Sequence, residues 1–250
     1  MIRMMPLLAC LTLLAGCGGN WGWHVVNPAD PRGQANLSFL LGGMWATISL
    51  SLSAMLVSLT LGLSVALLGF SRWRALRFVN RAYVELFRAV PILVLILWVF
   101  YGLPVVLDIR IGVFLAAMLA IALCDAAFEA EILRGGIQSI EQGQREAAIA
   151  LGLSRWQALR FVVLPQAIRR VLPPIANQFI YVVKMSSLAS VIGYQELTRR
   201  ANELVVTVFR PLEIYTILIL EYLALILLIS FAVRRLERKL GADQGRPREV

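Results

Sequence analysis

The sequence predicts an all-α membrane protein of five transmembrane helices, with its N-terminus outside and its C-terminus in the cytoplasm. Three observations carry this. Of 250 residues, 59% are hydrophobic and only 16% charged, with a mean hydropathy of +0.76; soluble domains average about 45–50% apolar and about 25% charged. Runs with few or no charges, long enough to cross a hydrocarbon core of about 30 Å, recur along the chain. The arginines gather in short stretches beside those runs, where positive charge sets orientation.

The formal charge of +9 does not imply nucleic acid, because the basic residues sit next to apolar runs rather than on one polar face. Cys10, Cys17 and Cys124 form neither a disulfide pattern nor a metal spacing, and no cofactor is expected. Residues 1–19 combine Arg3 with an apolar run of signal-peptide length. Leu14-Ala15-Gly16-Cys17 is similar to a lipobox, which makes Cys17 a candidate acylation site; an uncleaved membrane-associated segment is the other reading. Residues 20–36, with Trp21 and Trp23, suit the outer interface. The membrane domain occupies residues 37–235, and residues 236–250 form a cytoplasmic tail.

The first span lies within Leu37–Ser71, which carries no charge. Ser58, Gly62 and Ala66 recur every fourth residue and give it a face for close helix approach. The second span covers about Ala89–Leu107, with Pro91 in its first turn, where the missing amide donor is harmless, and Gly102 and Pro104 breaking it near the far end. The third runs from about Ile111 to Leu133 and carries Asp125, Glu129 and Glu131. The fourth covers Ile175–Tyr194, interrupted only by Lys184, and the fifth Ile214–Val233, interrupted by Glu221. Between the last two, Gln195–Pro211 reads as an amphipathic outer-surface segment.

The basic residues give the orientation. One side collects Arg72, Arg74, Arg77 and Arg81, six arginines from Arg134 to Arg170, and six basic residues from Arg234 to Arg248; the other has only Arg32, Arg110, Arg199, Arg200 and Arg210. The positive-inside rule assigns the richer side to the cytoplasm.

Residues 135–174 are the long mixed polar segment between two apolar ones. Ser139 with Gln142 is expected to cap a first short helix. Gly152 stops that helix in a left-handed conformation. Ser154 with Gln157 forms a capping box for a second, which ends near Leu164 because Pro165 disfavours helix in the residue before it. Trp156, Leu159 and Val163 share one face of that second helix. Ala148, Gly152 and Leu153-Ser154 also resemble a helix-turn-helix DNA reader, but the position between two spans, with Phe161 and Val162 on the second helix, argues against nucleic acid.

The spacing Glu146-Ala147-Ala148, three residues, Gly152, nine residues, Val162, one residue, Leu164-Pro165 resembles the signature loop of ABC importer membrane subunits. Glu85-Leu86-Phe87-Arg88-Ala89-Val90-Pro91, Tyr101-Gly102-Leu103-Pro104, Glu131-Ile132-Leu133-Arg134-Gly135-Gly136-Ile137, Lys184-Met185-Ser186-Ser187-Leu188, Val191-Ile192-Gly193 and Glu196-Leu197-Thr198 narrow the resemblance to the polar amino acid permease subgroup. It covers about Leu37 to Arg235. Departures are Val162 for the usual isoleucine, Met185 where an acidic residue is common, and the extra charges Asp125 and Glu129.

The resemblance implies a permease subunit of an ATP-driven, binding-protein-dependent amino acid importer. Glu146, Ala147, Ala148, Ala150, Leu151 and Gly152 would form a coupling helix between spans three and four that docks on a separate ATPase subunit. Implied partners are ABC ATPase subunits, an extracytoplasmic amino acid-binding protein, and a second permease subunit, identical or not. The site is the bacterial inner membrane. No Gly-x-x-x-x-Gly-Lys-Ser/Thr loop occurs, and neither Lys184 nor Lys239 follows a glycine, so the chain does not bind ATP in that way itself. The chain is therefore read as not an enzyme.

Asp125, Lys184, Ser186, Ser187 and Glu221 are candidate pathway residues, because ionisable groups at membrane depth are costly and default to functional hypotheses. Lys184 and Glu221 fall near mid-membrane, where they pair with each other or face a zwitterionic solute. Asp125 and Glu129 share a helix face and either attract a cationic amino acid or line a wet subunit interface. Glu131 and Arg134 read as an interfacial ion pair. An ion-gradient-driven secondary transporter using Asp125, Lys184 and Glu221 is the alternative function.

Overall fold

A computed structural model describes residues 22–239, which are helical with short connections; the lipobox Cys17 and the end of the tail lie outside the described residues. After a short turn at Trp23–Val26, the helices are α1 (Pro31–Leu41), α2 (Met44–Gly69), α3 (Arg74–Ala89), α4 (Ile92–Leu107), α5 (Val113–Gln138), α6 (Gln142–Ala150), α7 (Arg155–Ile192), α8 (Leu197–Val208) and α9 (Pro211–Lys239). Four stretches are long and apolar enough to cross a membrane: α1 with α2, α5, α7 and α9. The pair α3 and α4 makes a fifth if counted as one broken span.

The centre is the packing of α2 on α5. The 26 residues of α2 carry no charge and extend about 39 Å at the helical rise. Its buried face is mostly small or polar: Thr47, Ser51, Ala54, Ser58, Gly62 and Ala66, with Leu50, Met55 and Val65. It meets Ala116, Ala117, Ala120, Ala126, Ala127 and Ala130 among the buried residues of α5. Small residues let two backbones approach closely, which is how helices associate where lipid removes the usual hydrophobic incentive. The serine hydroxyls donate back to their own helix, Ser51 Oγ to the Thr47 carbonyl at 2.7 Å and Ser58 Oγ to the Met55 carbonyl at 3.0 Å. Leu95, Ile96 and Val99 of α4 and Val182, Met185, Ala189 and Ile192 of α7 complete this core.

Prolines shape the helices differently from expectation. Pro91 does not sit inside a span's first turn. Val90 and Pro91 are extended (ψ 126° each), and the chain turns by 100° between α3 and α4. Gly102 and Pro104 do not break α4. The helix widens into a π turn at Trp98–Gly102, closed by the Leu103 amide on the Trp98 carbonyl, and continues to Leu107. Likewise α7 does not stop at Leu164. A π turn at Leu159–Val163, closed by the Leu164 amide on the Leu159 carbonyl, precedes Pro165, and the helix runs on through Pro173 and Pro174. A proline lacks one amide and its ring crowds the carbonyl four residues back; a π turn just upstream shifts that carbonyl register and relieves the clash. The fourth span therefore extends back to Arg155 rather than beginning at Ile175.

At one end of the bundle, Glu196 caps α8. It accepts from the Thr198 and Arg199 amides (2.8 and 2.7 Å) and from the Tyr222 hydroxyl of α9 (2.9 Å), while Thr47 Oγ accepts from the Leu197 amide. This ties α2, α8 and α9 together at the connection read as an outer-surface segment.

A Cβ built at Gly62 would lie 2.7 Å from the Glu129 Cβ and 3.0 Å from the Ala126 carbonyl oxygen, whereas one at Gly112 meets nothing within 4 Å. Gly62→Ala should lower thermal stability by about 1–3 kcal/mol through overpacking, and Gly112→Ala should not. Unfolding of the two variants in the same detergent measures the difference; equal melting would contradict the close α2–α5 approach.

Candidate functional site

Two regions hold the polar chemistry: the α5–α7 connection and a buried cluster in the membrane core. In the first, α6 is a nine-residue helix of which only Ala148 is buried. Its end follows from Gly152 at φ +84°, a backbone region that non-glycine residues reach at a cost. The Gly152 amide bonds the Ile149 carbonyl and the Leu153 amide the Ala148 carbonyl, the paired bonds of a Schellman stop. Ser154 and Gln157 form the expected capping box, Ser154 N to Gln157 Oε1 at 2.9 Å and Gln157 N to Ser154 Oγ at 3.3 Å. Ser139 does not cap α6. It closes α5, its hydroxyl donating to the Gly136 carbonyl, and Glu141 takes the cap position of α6 without a side-chain bond.

The face this builds is open. Glu146, Ala147, Ala150 and Gly152 are exposed, and Leu151 is 84% exposed at the helix tip. Beside it lies a cleft of about 670 Å³, with Phe70, Ile137, Arg145, Glu146, Ile149 and Val163 in its wall. Trp156 and Leu159 are exposed while Val163 is buried, so the face they share is only half covered by this chain. Two contacts join α6 and its approach to α7: Gln166 Nε2 donates to Gln144 Oε1 (3.3 Å), and the Arg170 guanidinium donates to the Ser139 carbonyl.

The second region centres on Asp125, wholly buried among α2, α5 and α7. It accepts from Ser58 Oγ and from Gln178 Nε2, each at 2.6 Å. Glu129, one turn on, is also wholly buried, and both its carboxylate oxygens lack a hydrogen-bond partner. Both carboxylates are enclosed by this chain's own helices. Sequence reading missed Gln178, because an uncharged amide raises no alarm in a span; its signal was the amide pair Asn177-Gln178 inside an apolar run.

Lys184 and Glu221 do not pair. Lys184 is exposed on the outer surface of α7, while Glu221 is buried on α9 with both oxygens unpartnered. One faces outward and the other into the bundle. Ser186 is buried and bonds the Val183 carbonyl; Ser187, half-buried, bonds the Lys184 carbonyl at the point where α7 tightens to a 3-10 turn. Of these residues only Lys184 projects from the bundle. Glu131 and Arg134 form the expected ion pair at 2.8 Å.

At the α8 end, burial pushes the Glu196 carboxyl up, opposed by its bonds from the Thr198 and Arg199 amides. Glu203 is held below the usual carboxylate range, first by the Gln195 amide and then by Arg199, whose Nε lies 2.7 Å away.

The membrane cluster yields a stability contrast. Asp125→Ala strands the Gln178 amide, while the Ser58 hydroxyl falls back on the Met55 carbonyl, and should cost about 1–3 kcal/mol for the one group left unsatisfied. Glu129→Met removes no hydrogen bond and a costly buried polar group, so stability should hold or rise. Melting of the two variants decides it; a collapse of Glu129→Met would reveal a partner for that carboxylate.

The model of binding-protein-dependent transport system inner membrane components matches residues 58–242, a stretch that contains Asp125, all of α6 and the whole of α7. The glutamine transport system permease protein GlnP of Escherichia coli (strain K12) is 40% identical over 223 residues, which cover 87% of this chain and 97% of GlnP. The arginine transport system permease protein ArtQ of Bacillus subtilis (strain 168) is 34% identical over 207 residues, covering 83% of this chain and 94% of ArtQ. Among solved structures, the crystal structure of an amino acid ABC transporter with histidines superposes with a TM-score of 0.77 at 34% identity, over 81% of this chain and 94% of that one. A chain of several apolar spans, matched over most of its length on both sequence and fold, belongs to the binding-protein-dependent transport system inner membrane component family, as a multi-pass permease subunit of the inner membrane.

Proposed function

We propose that this permease carries a polar amino acid across the inner membrane and is driven by separate ATPase subunits that dock on α6. The observation that carries the docking assignment is α6 itself, a short helix stopped at Gly152 with almost no burial inside this chain and Leu151 bare at its tip. An apolar residue held out by a defined turn fits a cleft in a partner. The relatives transport glutamine and arginine, which supports a polar amino acid as substrate. An extracytoplasmic binding protein delivers it at the end that carries α8. The arginine count supports α6 and the C-terminus on the cytoplasmic side, with the N-terminus outside. A second permease subunit covers the exposed faces of α4 and α7 and completes the passage, with Lys184 on its wall, where a cation at membrane depth meets water and a substrate carboxylate.

The proposed cycle is alternating access. Closure of the ATPase pair moves α6. The Gln166–Gln144 and Arg170–Ser139 contacts pass that motion to α7, which extends over 38 residues to the far end of the bundle. Asp125 and Gln178 then link α7 to α5.

Gly152→Arg puts a side chain where φ is +84°, straining the stop by about 1–2 kcal/mol and crowding the docking face. Substrate uptake and substrate-stimulated ATP hydrolysis should both fall at least tenfold while membrane insertion persists. Undiminished uptake would sink the docking assignment. Arg170→Ala should behave differently: the ATPase subunit still copurifies, but fewer substrate molecules move per ATP hydrolysed. An unchanged ratio would remove α7 from the transmission route.

A further inference from the structure

One cluster of charge is used by neither the docking face nor the buried membrane core. Helix α3 runs beside α2 and α5 with one face committed to them. Asn80 Nδ2 donates to the Val65 carbonyl at 2.7 Å, Tyr83 donates to the Leu123 carbonyl at 2.8 Å, and Val84 is buried against Val65, Ala66 and Ala130. Next to that face, Arg77, Arg81 and Arg88 of α3 and Arg134 of α5 surround a cleft of about 350 Å³. Two carboxylates, Glu85 and Glu131, also line it, so positive charge is in surplus. Glu131 is already paired with Arg134. The Arg88 guanidinium rests 5.3 Å above the Phe128 ring. The guanidinium groups of Arg77 and Arg81 have no hydrogen bond or ion pair to any other described residue.

The remaining face of α3 is apolar and bare. Phe78, Ala82 and Leu86 follow one another at four-residue spacing, directly beside Arg77, Arg81 and Glu85, and Phe78 is 72% exposed. Trp73, 73% exposed, stands at the helix start, the position of an interfacial aromatic anchor. The cleft also has depth. Phe128, under Arg88, lies about 15 Å before the end of α5 at the helical rise, so the arginines line a path from the helix ends into the hydrocarbon zone.

We propose that this cleft binds an anionic phospholipid, its headgroup phosphodiester between Arg77 and Arg81 and an acyl chain along Phe78, Ala82 and Leu86. Guanidinium groups suit phosphate oxygens through paired N–H donors, and basic pockets between membrane helices at the headgroup level select anionic lipids. An acidic protein surface would satisfy the arginines but leave the apolar stripe uncovered. A phospholipid supplies both halves.

The test uses the assembled transporter, purified with its ATPase subunits in mild detergent and titrated with phosphatidylglycerol or phosphatidylcholine under native mass spectrometry. Phosphatidylglycerol adducts should form preferentially on the wild type. The Arg77→Gln/Arg81→Gln double variant should bind phosphatidylglycerol roughly tenfold to thirtyfold more weakly, given about one tenfold step or less per arginine near an anionic headgroup. The Arg77→Lys/Arg81→Lys variant should keep most of the binding. Arg72→Gln, in the same arginine run but outside the cleft, should keep all of it. Equal binding of the two lipids, or undiminished phosphatidylglycerol adducts on the double glutamine variant, overturns the proposal. So does equal thermal stabilisation by inorganic phosphate. Loss of the ATPase subunit or of the second permease subunit from the double variant, with lipid adducts unchanged, would instead make the cleft a protein-binding surface and equally overturn it.

Discussion

A hydrocarbon core offers backbone amides and carbonyls no partner, and the rest of this structure follows from that constraint. Every described stretch that crosses the bundle is helical. Where proline would leave a span without a bond, the chain breaks the helix, widens it, or, at Pro173 and Pro174, carries it on. At Val90-Pro91 it leaves the helix altogether and turns by 100°. At Pro104 and Pro165 it keeps the helix and widens it to a π turn just upstream. The second solution matters most for α7. A helix that stopped at Leu164 would end in the polar connection; the continuous one carries a rigid element from that connection to the far end of the bundle.

The same constraint explains the polar core. Asp125 is tolerable at membrane depth because two side chains from two other helices, Ser58 and Gln178, complete its bonding at 2.6 Å. Its satisfaction fixes the relative rotation of α2, α5 and α7, since a slip of any one helix strands at least two polar groups. Glu129 lacks that support. It is held beside Gly62 by packing alone, and close packing is possible there because residue 62 has no side chain. Specificity of assembly and tightness of approach are thus supplied by adjacent turns of the same two helices.

Much of this was legible in the sequence, and the limits are physical. The spans were readable from uncharged runs, because a span needs only length and apolarity. The stop at Gly152 and the cap at Ser154 and Gln157 were readable because capping is a contact between residues three to five apart. The same locality misled at Ser139, which satisfies the end of the preceding helix, and at the two prolines, where local propensity says stop and the tertiary bundle holds the helix together. Lys184 and Glu221 illustrate another limit. Depth is readable from residue count, but the direction in which a helix face points depends on neighbours, so equal expected depth did not make a pair. Gln178 was invisible for a related reason: its role exists only once α7 lies against α5.

The arrangement of rigidity also bears on how a signal crosses this subunit. The α6 helix is firmly stopped at Gly152 but buried almost nowhere, so it is well defined at that end and weakly held in position. It packs on the π segment of α7, and Gln144 accepts a hydrogen bond from Gln166 about one turn further on. α7 in turn meets the α2–α5 core through a single satisfied carboxylate and a tightly packed apolar patch. A push on α6 therefore meets little resistance until it reaches α7, where the π turn comes before the interior prolines Pro173 and Pro174. That turn packs directly against the docking helix, and a small change in its helical register would translate a lateral push into a rotation of the long helix. On this geometry the π turn, rather than the connection before it, is where motion of a partner becomes motion of the membrane domain.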